Sequence, residues 1–134
     1  MDLLASAEAY VADVSRFRDA LDRPAFLSDR GEQYRIEFPL QQAIQCCVDI
    51  AAHLVSSSPG PRPDSLAQLF YVLADREWID ADLAGRLAAM ARFRNLLVHE
   101  YADIDAARVW DIIHNDLDDL LAFLGRVASA LQEG

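Results

Sequence analysis

The apolar residues of the chain recur at three- and four-residue spacing along nearly its whole length, without convincing two-residue alternation. That periodicity is typical of amphipathic α-helices that pack around a common core, so it predicts an all-α fold. Because the connections are short, we expect one domain over residues 1–134, folded as an antiparallel bundle of four to five helices. The predicted helical segments are Leu3–Leu21, Pro24–Ser57, Ser65–Asp75, Ala81 to the Leu96–Val98 region, and Ala106–Leu131.

The residues between these segments are typical helix breakers and caps. Three prolines and a glycine make Ser56–Asp64 the clearest loop. Pro39 lies inside the second segment, where its missing backbone donor must either kink the helix or open a new one. Aspartate and serine side chains satisfy the free amides at the start of a helix. The candidate caps are Asp64 or Ser65, Asp80, and Asp103 or Asp105.

The composition and the charge distribution narrow the class of protein. The hydrophobic fraction of 53% is enough for a folded core and argues against disorder. With 12 basic and 22 acidic residues, the net charge of −10 argues against nucleic-acid binding by bulk electrostatics. The only basic stretch is residues 84–101, where Arg86, Arg92 and Arg94 are accompanied by a single acid, Glu100. Any contact with nucleic acid is therefore expected to be local.

No segment predicts secretion or membrane insertion. Residues 1–15 contain three acids before any basic residue, unlike a secretory signal, and no apolar run reaches the ~18–20 residues of a spanning helix. The two cysteines, Cys46 and Cys47, are adjacent and would form a poor intrachain disulfide. We expect them to be buried or partly buried thiols of a protein in the reducing cytoplasm.

The candidate chemistry lies in residues 92–101, which combine two arginines, an amide, a histidine and a tyrosine. Histidine exchanges a proton near neutral pH, and arginine holds a phosphate through two hydrogen bonds. These groups suffice to cleave RNA without a metal ion. His99 would move a proton at the 2′-hydroxyl or the leaving oxygen, and Arg94 would neutralise charge on the phosphorus. The spacing alone is weak evidence, because Arg108 and His114 form a comparable pair.

Helix geometry constrains how Arg94 and His99 can cooperate. At ~100° per residue, five residues place them about 140° apart around a regular helix. The helix must therefore end or distort before His99, or a second chain must complete the site. Both possibilities favour a symmetric dimer in which each copy of the motif lines a shared groove.

The other polar candidates have simpler structural interpretations. Arg108 and His114 are expected to be a surface arginine and a partly buried histidine of the last helix. Asp49 and His53 are four residues apart and share a helix face. Two ligands do not make a metal site, so we favour a structural hydrogen bond or salt bridge, or else a face that lines the catalytic groove. Packing roles are expected for Trp78 and Trp110, and no metal or cofactor is expected.

One stretch of the sequence resembles a known family. Arg94–Tyr101 fits an Arg-polar-x3-His-x-Tyr signature at every defined position, with Phe93 before it and Asp103–Asp105 after it also family-like. Upstream, Leu40–Ile44 and Asp49–His53 resemble the family's second helix. On these residues the chain resembles the HepT-like toxins of the HEPN superfamily, which belong to HEPN/MNT (type VII) toxin–antitoxin systems.

The resemblance implies an antiparallel helical homodimer with the motif at the interface. It implies a metal-independent endoribonuclease that leaves a 2′,3′-cyclic phosphate, with Arg94 and His99 as the catalytic residues. It also implies a partner, an MntA-like nucleotidyltransferase antitoxin encoded alongside. That antitoxin would silence the toxin by transferring AMP to the motif tyrosine, which is Tyr101 here.

Further residues of the basic stretch are candidates for supporting roles. Asn95 would orient His99 or the scissile phosphate, or alternatively cap the end of its helix with its amide. Arg92 and Arg86 are candidate RNA contacts. Two rival functions remain at this point. One is a non-catalytic helical dimer that binds a nucleotidyltransferase; the other is a nucleotide-binding regulator, although the scattered glycines form no phosphate-binding loop.

Overall fold

The computed structural model of the chain describes residues 2–60, 62–99 and 104–133. Every regular element in these ranges is an α-helix, which confirms the predicted all-α class. There are more helices than the four to five expected, because two of the predicted segments are divided. The helices are α1 (Leu3–Asp19), α2 (Arg23–Ser28), α3 (Arg30–Ser56), α4 (Leu66–Asp75), α5 (Ala81–His99), α6 (Ala106–Asn115) and α7 (Leu117–Glu133).

The second predicted segment divides at Asp29 rather than at Pro39. The Asp29 carboxylate accepts a hydrogen bond from the backbone N–H of Glu32 (3.2 Å), and so caps the start of α3. The helix then continues through Pro39, which is buried. Of the two outcomes expected for this proline, the opening of a new helix is therefore wrong.

The last predicted segment divides at Asp116. Its backbone N–H still donates to the carbonyl of Ile112 (2.8 Å), which closes α6, and α7 begins at the next residue. The apolar stripe continues across this break, with Ile113 on one side and Leu117 on the other both buried. The hydrophobic pattern alone therefore gave no signal of the division.

The predicted caps are confirmed where the structure describes them. The hydroxyl of Ser65 accepts from the N–H of Gln68 (3.3 Å) at the start of α4. The carboxylate of Asp80 accepts from the N–H of Leu83 (2.7 Å) at the start of α5. The cap of α6 is Asp105, whereas the other candidate for that role, Asp103, lies outside the described residues.

The long helix α3 forms the centre of the bundle and packs against each of the other helices. Phe70 and Phe123 meet edge to face in the core, with ring centroids 5.6 Å apart. The predicted packing role of the tryptophans is confirmed, since both are half-buried against this core. Both cysteines of α3 are buried free thiols, and burial raises the pKa of each. Among the described residues, no helix combines the length and apolar composition needed to cross a bilayer.

Candidate functional site

Residues 92–99 of the candidate motif lie on α5, which begins at its Asp80 cap and remains helical as far as His99. One side of this helix is buried against the core through residues that include Leu87, Ala91 and Leu97. Because the helix neither ends nor breaks before His99, that part of the sequence expectation is wrong. The helical positions of Arg94 and His99 thus stay about 140° apart. Completion of the site by a second chain is the possibility that remains.

Arg94 is half-buried and its guanidinium is held by its neighbour in the sequence. Its Nη1 donates a hydrogen bond to Oδ1 of Asn95 (3.2 Å). Its Nε is buried and has no hydrogen-bond partner in the described part of the chain. Asn95 itself is exposed and lies four residues before the last helical residue, so it does not cap the end of α5. The side chain of Asn95 therefore hydrogen-bonds Arg94.

His99 shares its side of α5 with Arg92 rather than with Arg94. Seven residues correspond to almost two full turns, which places Arg92 and His99 about 20° apart around the helix. Asn95, four residues before His99, lies about 40° away on the same side. All three side chains are exposed. One exposed face of α5 thus carries a guanidinium, an amide and an imidazole in a row.

Arg86, the other candidate RNA contact, is held by the last helix. Its Nε donates a hydrogen bond to Oδ1 of Asp119 at 2.9 Å. This hydrogen bond is the main reason why the pKa of Arg86 lies above the ordinary value for arginine. Asp80 and Asp82 add to the negative potential around it. Its charge is therefore largely matched within the chain, although its contact with RNA stays a prediction.

The motif tyrosine, Tyr101, lies outside the described residues. Its role as the modified residue consequently stays a prediction, supported by its position two residues after His99 in the signature.

The remaining sequence candidates do not form a site. Asp49 accepts a hydrogen bond from Nε2 of Gln45 (2.7 Å), so its side-chain hydrogen-bond partner in the described part of the chain is this glutamine and not His53. His53 is exposed and lines a shallow cavity with residues of α1 and α7. Within the described ranges, no group of three or more potential ligands is arranged to hold a metal ion.

The rival pair on α6 is separated by its own contacts. The guanidinium carbon of Arg108 lies 5.1 Å from the centroid of the Phe93 ring. His114 places Nδ1 2.9 Å from the carbonyl oxygen of Trp110 and packs against that indole. His114 is exposed, so its expected partial burial is wrong. Neither side chain is directed by these contacts toward the other.

Sequence reasoning missed one titratable residue, Glu37 of α3. Burial raises the pKa of its carboxyl to about 7, and the positive charge of Arg30 opposes the shift without cancelling it. In the sequence, Glu37 stands between two large apolar residues, Ile36 and Phe38. The structure buries Ile36 and leaves Phe38 exposed.

Two cavities of the described part of the chain are formed without the motif pair. One of about 670 Å³ lies between the end of α3 and the start of α4, with Val55, Leu66 and Leu69 among its lining residues. Another of about 310 Å³ lies between α5 and α6 and includes Phe93 and Arg108. Neither is lined by Arg94 or His99.

Comparison with known proteins identifies similar sequences. A family model described as "Ribonuclease HepT-like" matches residues 7–127. The chain is 28% identical over 102 residues to the mRNA nuclease HepT of Shewanella oneidensis, covering 70% of this chain and 77% of that protein. It is 29% identical over 106 residues to the tRNA nuclease HepT of Aphanizomenon flos-aquae, covering 79% of this chain and 72% of that protein.

A solved structure supplies an independent comparison of the fold. It is a tri-AMPylated HEPN toxin of Shewanella oneidensis in complex with an MNT antitoxin. The TM-score is 0.85 and the sequences are 24% identical, with 95% of this chain and 94% of that chain covered. At this identity the likeness shows a shared fold, the helical arrangement described above.

Proposed function

The chain belongs to the HepT-like ribonuclease family, and from that premise we propose that it is the toxin of a HEPN/MNT toxin–antitoxin pair. Its proposed activity is metal-independent cleavage of RNA at a groove between two copies of the chain, in the cytoplasm. Its proposed regulator is a nucleotidyltransferase antitoxin that transfers AMP to Tyr101. The observation that carries the proposal is the intact Arg94–Asn95–His99 set on one helix of a chain that matches the family over residues 7–127.

The continuity of α5 supports the two-chain groove. Arg94 and His99 lie about 140° apart on one unbroken helix, so a phosphate held by one side chain is not presented directly to the other. The described cavities of the single chain that approach α5 do not include either residue. A two-fold axis near this helix would bring two copies of each side chain to one groove.

A second observation, on the outward side of α3, favours association of two copies. From Phe38 to Val48 the helix contains no charged residue, although charged residues make up 25% of the chain. Its solvent-facing positions include Phe38, which is 60% exposed, and half-buried glutamines. Two copies that each carry a net charge of −10 repel one another, so an uncharged surface is the favourable place for them to meet.

The proposed reaction needs only proton transfer and charge neutralisation. The 2′-oxygen attacks the phosphorus, the bond to the 5′-oxygen breaks, and a 2′,3′-cyclic phosphate and a 5′-hydroxyl result. His99 takes the proton from the 2′-hydroxyl or supplies one to the leaving oxygen. Arg94 hydrogen-bonds the phosphate oxygens as negative charge accumulates there, and Asn95 holds the Arg94 guanidinium in place.

The first prediction concerns the two proposed catalytic residues. His99→Ala and Arg94→Ala should each abolish cleavage of RNA and growth inhibition, because removing a general acid–base group alone lowers a rate by about 10²–10⁴-fold. Cleavage of purified total RNA, followed by gel electrophoresis and by end-group analysis for cyclic phosphate, measures the effect. Circular dichroism and gel filtration establish that the variants remain folded and associated.

Matched substitutions in the same chain control for nonspecific effects. His114→Ala removes an exposed histidine that contacts Trp110 and lies outside the motif, and Arg23→Ala removes an exposed arginine of α2. Both should cleave RNA at the wild-type rate. Full cleavage by His99→Ala would refute the mechanism. If the purified wild-type protein carries no AMP and does not cleave RNA, yet binds the antitoxin in a separate assay, the result would instead favour the non-catalytic binding partner.

A further inference from the structure

Arg108 of α6 lies beside the motif helix and contacts the ring of Phe93. Its guanidinium carbon is 5.1 Å from the centroid of Phe93, the residue between Arg92 and Arg94 in the sequence. This distance is typical of a cation–π contact, which leaves the N–H groups of the arginine free to bind an anion. Arg108 forms no ion pair with a carboxylate of the described residues.

Most arginines of this chain have a partner, because 22 acidic residues outnumber 12 arginines. Arg16, Arg18, Arg35 and Arg86 form ion pairs. Hydrogen bonds engage Arg30, Arg76, Arg94 and Arg126. Within the described ranges, four remain without either kind of partner, namely Arg23, Arg62, Arg92 and Arg108. Two of these four lie at the motif, where a phosphate ligand would supply the missing negative charge.

The geometry of α5 relates Arg108 to the proposed catalytic face. Phe93 lies about 120° around the helix from His99 and about 9 Å along its axis, and the angular position of Arg92 lies between theirs, on the exposed side. An RNA strand that presents one phosphate to His99 can therefore pass Arg92 and continue across the helix toward Arg108. Arg94 lies on the opposite flank of α5.

We propose that Arg108 binds a phosphate of the RNA strand other than the scissile phosphate. This inference rests on the ribonuclease function proposed above and extends its substrate contact from α5 to α6. Guanidinium groups hold phosphates through paired charge-assisted hydrogen bonds, and phosphate contacts position a strand without selecting its sequence.

The residues that line the cavity between α5 and α6 carry the charges that the RNA would meet beside Arg108. It has a volume of about 310 Å³, and Arg86, Arg108, Asp111 and Asp116 supply its charged lining. Arg86 is paired with Asp119, and Asp116 is half-buried rather than exposed. Arg108 and the exposed Asp111 are thus the two opposed charges that an approaching phosphate would encounter. Removing each of them should change RNA affinity in opposite directions.

Binding of a labelled single-stranded RNA tests this, measured in a His99→Ala background so that the strand stays intact. Arg108→Gln should weaken binding roughly fivefold at low salt, as expected for one surface charge contact. It should also lower the slope of log affinity against log salt by about 0.7. Asp111→Asn should tighten binding, and Arg108→Lys should restore most of the affinity.

Arg23→Gln is the matched control, since it removes another unpaired arginine away from α5 and should leave affinity and salt slope unchanged. A purely structural role of Arg108 would lower the melting temperature while leaving the salt slope as it was. Equal affinities for the parent, Arg108→Gln and Asp111→Asn would overturn the inference while the wild-type chain still cleaves RNA. If the wild-type chain neither cleaves nor binds RNA, the proposed function fails and this inference with it.

Discussion

The half-buried carboxyl of Glu37 makes the stability of the protein depend on pH near neutrality. Burial raises its pKa from 4.5 to about 7, because the charged form loses hydration, and Arg30 offsets only part of this effect. An acid whose pKa is raised in the folded state stabilises the fold at low pH. That contribution is complete below the unfolded pKa and is lost as pH rises through the folded pKa of about 7.

The magnitude follows from the size of the pKa shift. A shift from 4.5 to about 7 corresponds to about 3.4 kcal/mol if no solvent screens the charge. Glu37 is only half-buried, so screening by water reduces the expected effect to roughly 1–2 kcal/mol. Glu37→Gln removes the ionisable group and should therefore stabilise the protein by that amount at pH 8, with little effect near pH 5. For a chain of this length the gain is roughly 4–7 °C in melting temperature.

Thermal and urea unfolding between pH 5.5 and 8.5, at fixed protein concentration, measure the difference between Glu37→Gln and the wild type. The concentration must stay fixed because association would shift the apparent stability. Glu8→Gln is the control, since it makes the same change of charge at an exposed position of α1. A stability difference that stays constant with pH, or an equal pH-dependent gain in Glu8→Gln, would show that burial of Glu37 is not the cause.

Two further predictions test the regulated residue and a helix cap. Tyr101→Phe should cleave RNA in the presence of the nucleotidyltransferase and ATP and should carry no AMP by mass spectrometry; an undiminished adduct would contradict the assignment of Tyr101. Ser65→Ala should cost about 1 kcal/mol in urea unfolding, because the hydroxyl accepts the N–H of Gln68. Asp64→Ala should lower the free energy of unfolding only slightly, and an equal loss of stability in Asp64→Ala and Ser65→Ala would contradict the observed cap.

Hydrophobic periodicity predicted the helices well because it reports the burial of a face, which is the dominant requirement for packing a helix. It could not predict the breaks at Asp29 and Asp116. At Asp116 the apolar stripe continues across the break, and at Asp29 a single local contact starts a new helix. For Asp29 this contact is the hydrogen bond from the N–H of Glu32. Such competition between a side chain and the helical backbone is too local to appear in a periodic pattern.

The sequence proposed the residues of the candidate site, whose roles stay predictions, and predicted only part of its geometry. The motif identified Arg94 and His99, and elementary helix geometry gave their separation of about 140°. The sequence did not show whether α5 ends before His99, because the end of a helix depends on packing beyond the motif. The same limit applies to Glu37 and Arg108. Their importance arises from burial in one case and from the contact with Phe93 in the other, and both depend on neighbouring helices.

The acidic charge of the chain explains why the proposed RNA contact has to be local. A two-fold dimer carries twice the net charge of −10, so it repels RNA beyond the screening length of about 8 Å at physiological salt. Attraction must then come from guanidinium groups that the protein's own carboxylates do not neutralise. Among the described residues, neither Arg92 on the exposed side of α5 nor Arg108 beside Phe93 forms an ion pair, whereas Arg86 is paired with Asp119. The position of unpaired arginines, more than the total charge, therefore determines where an acidic protein can hold a phosphate.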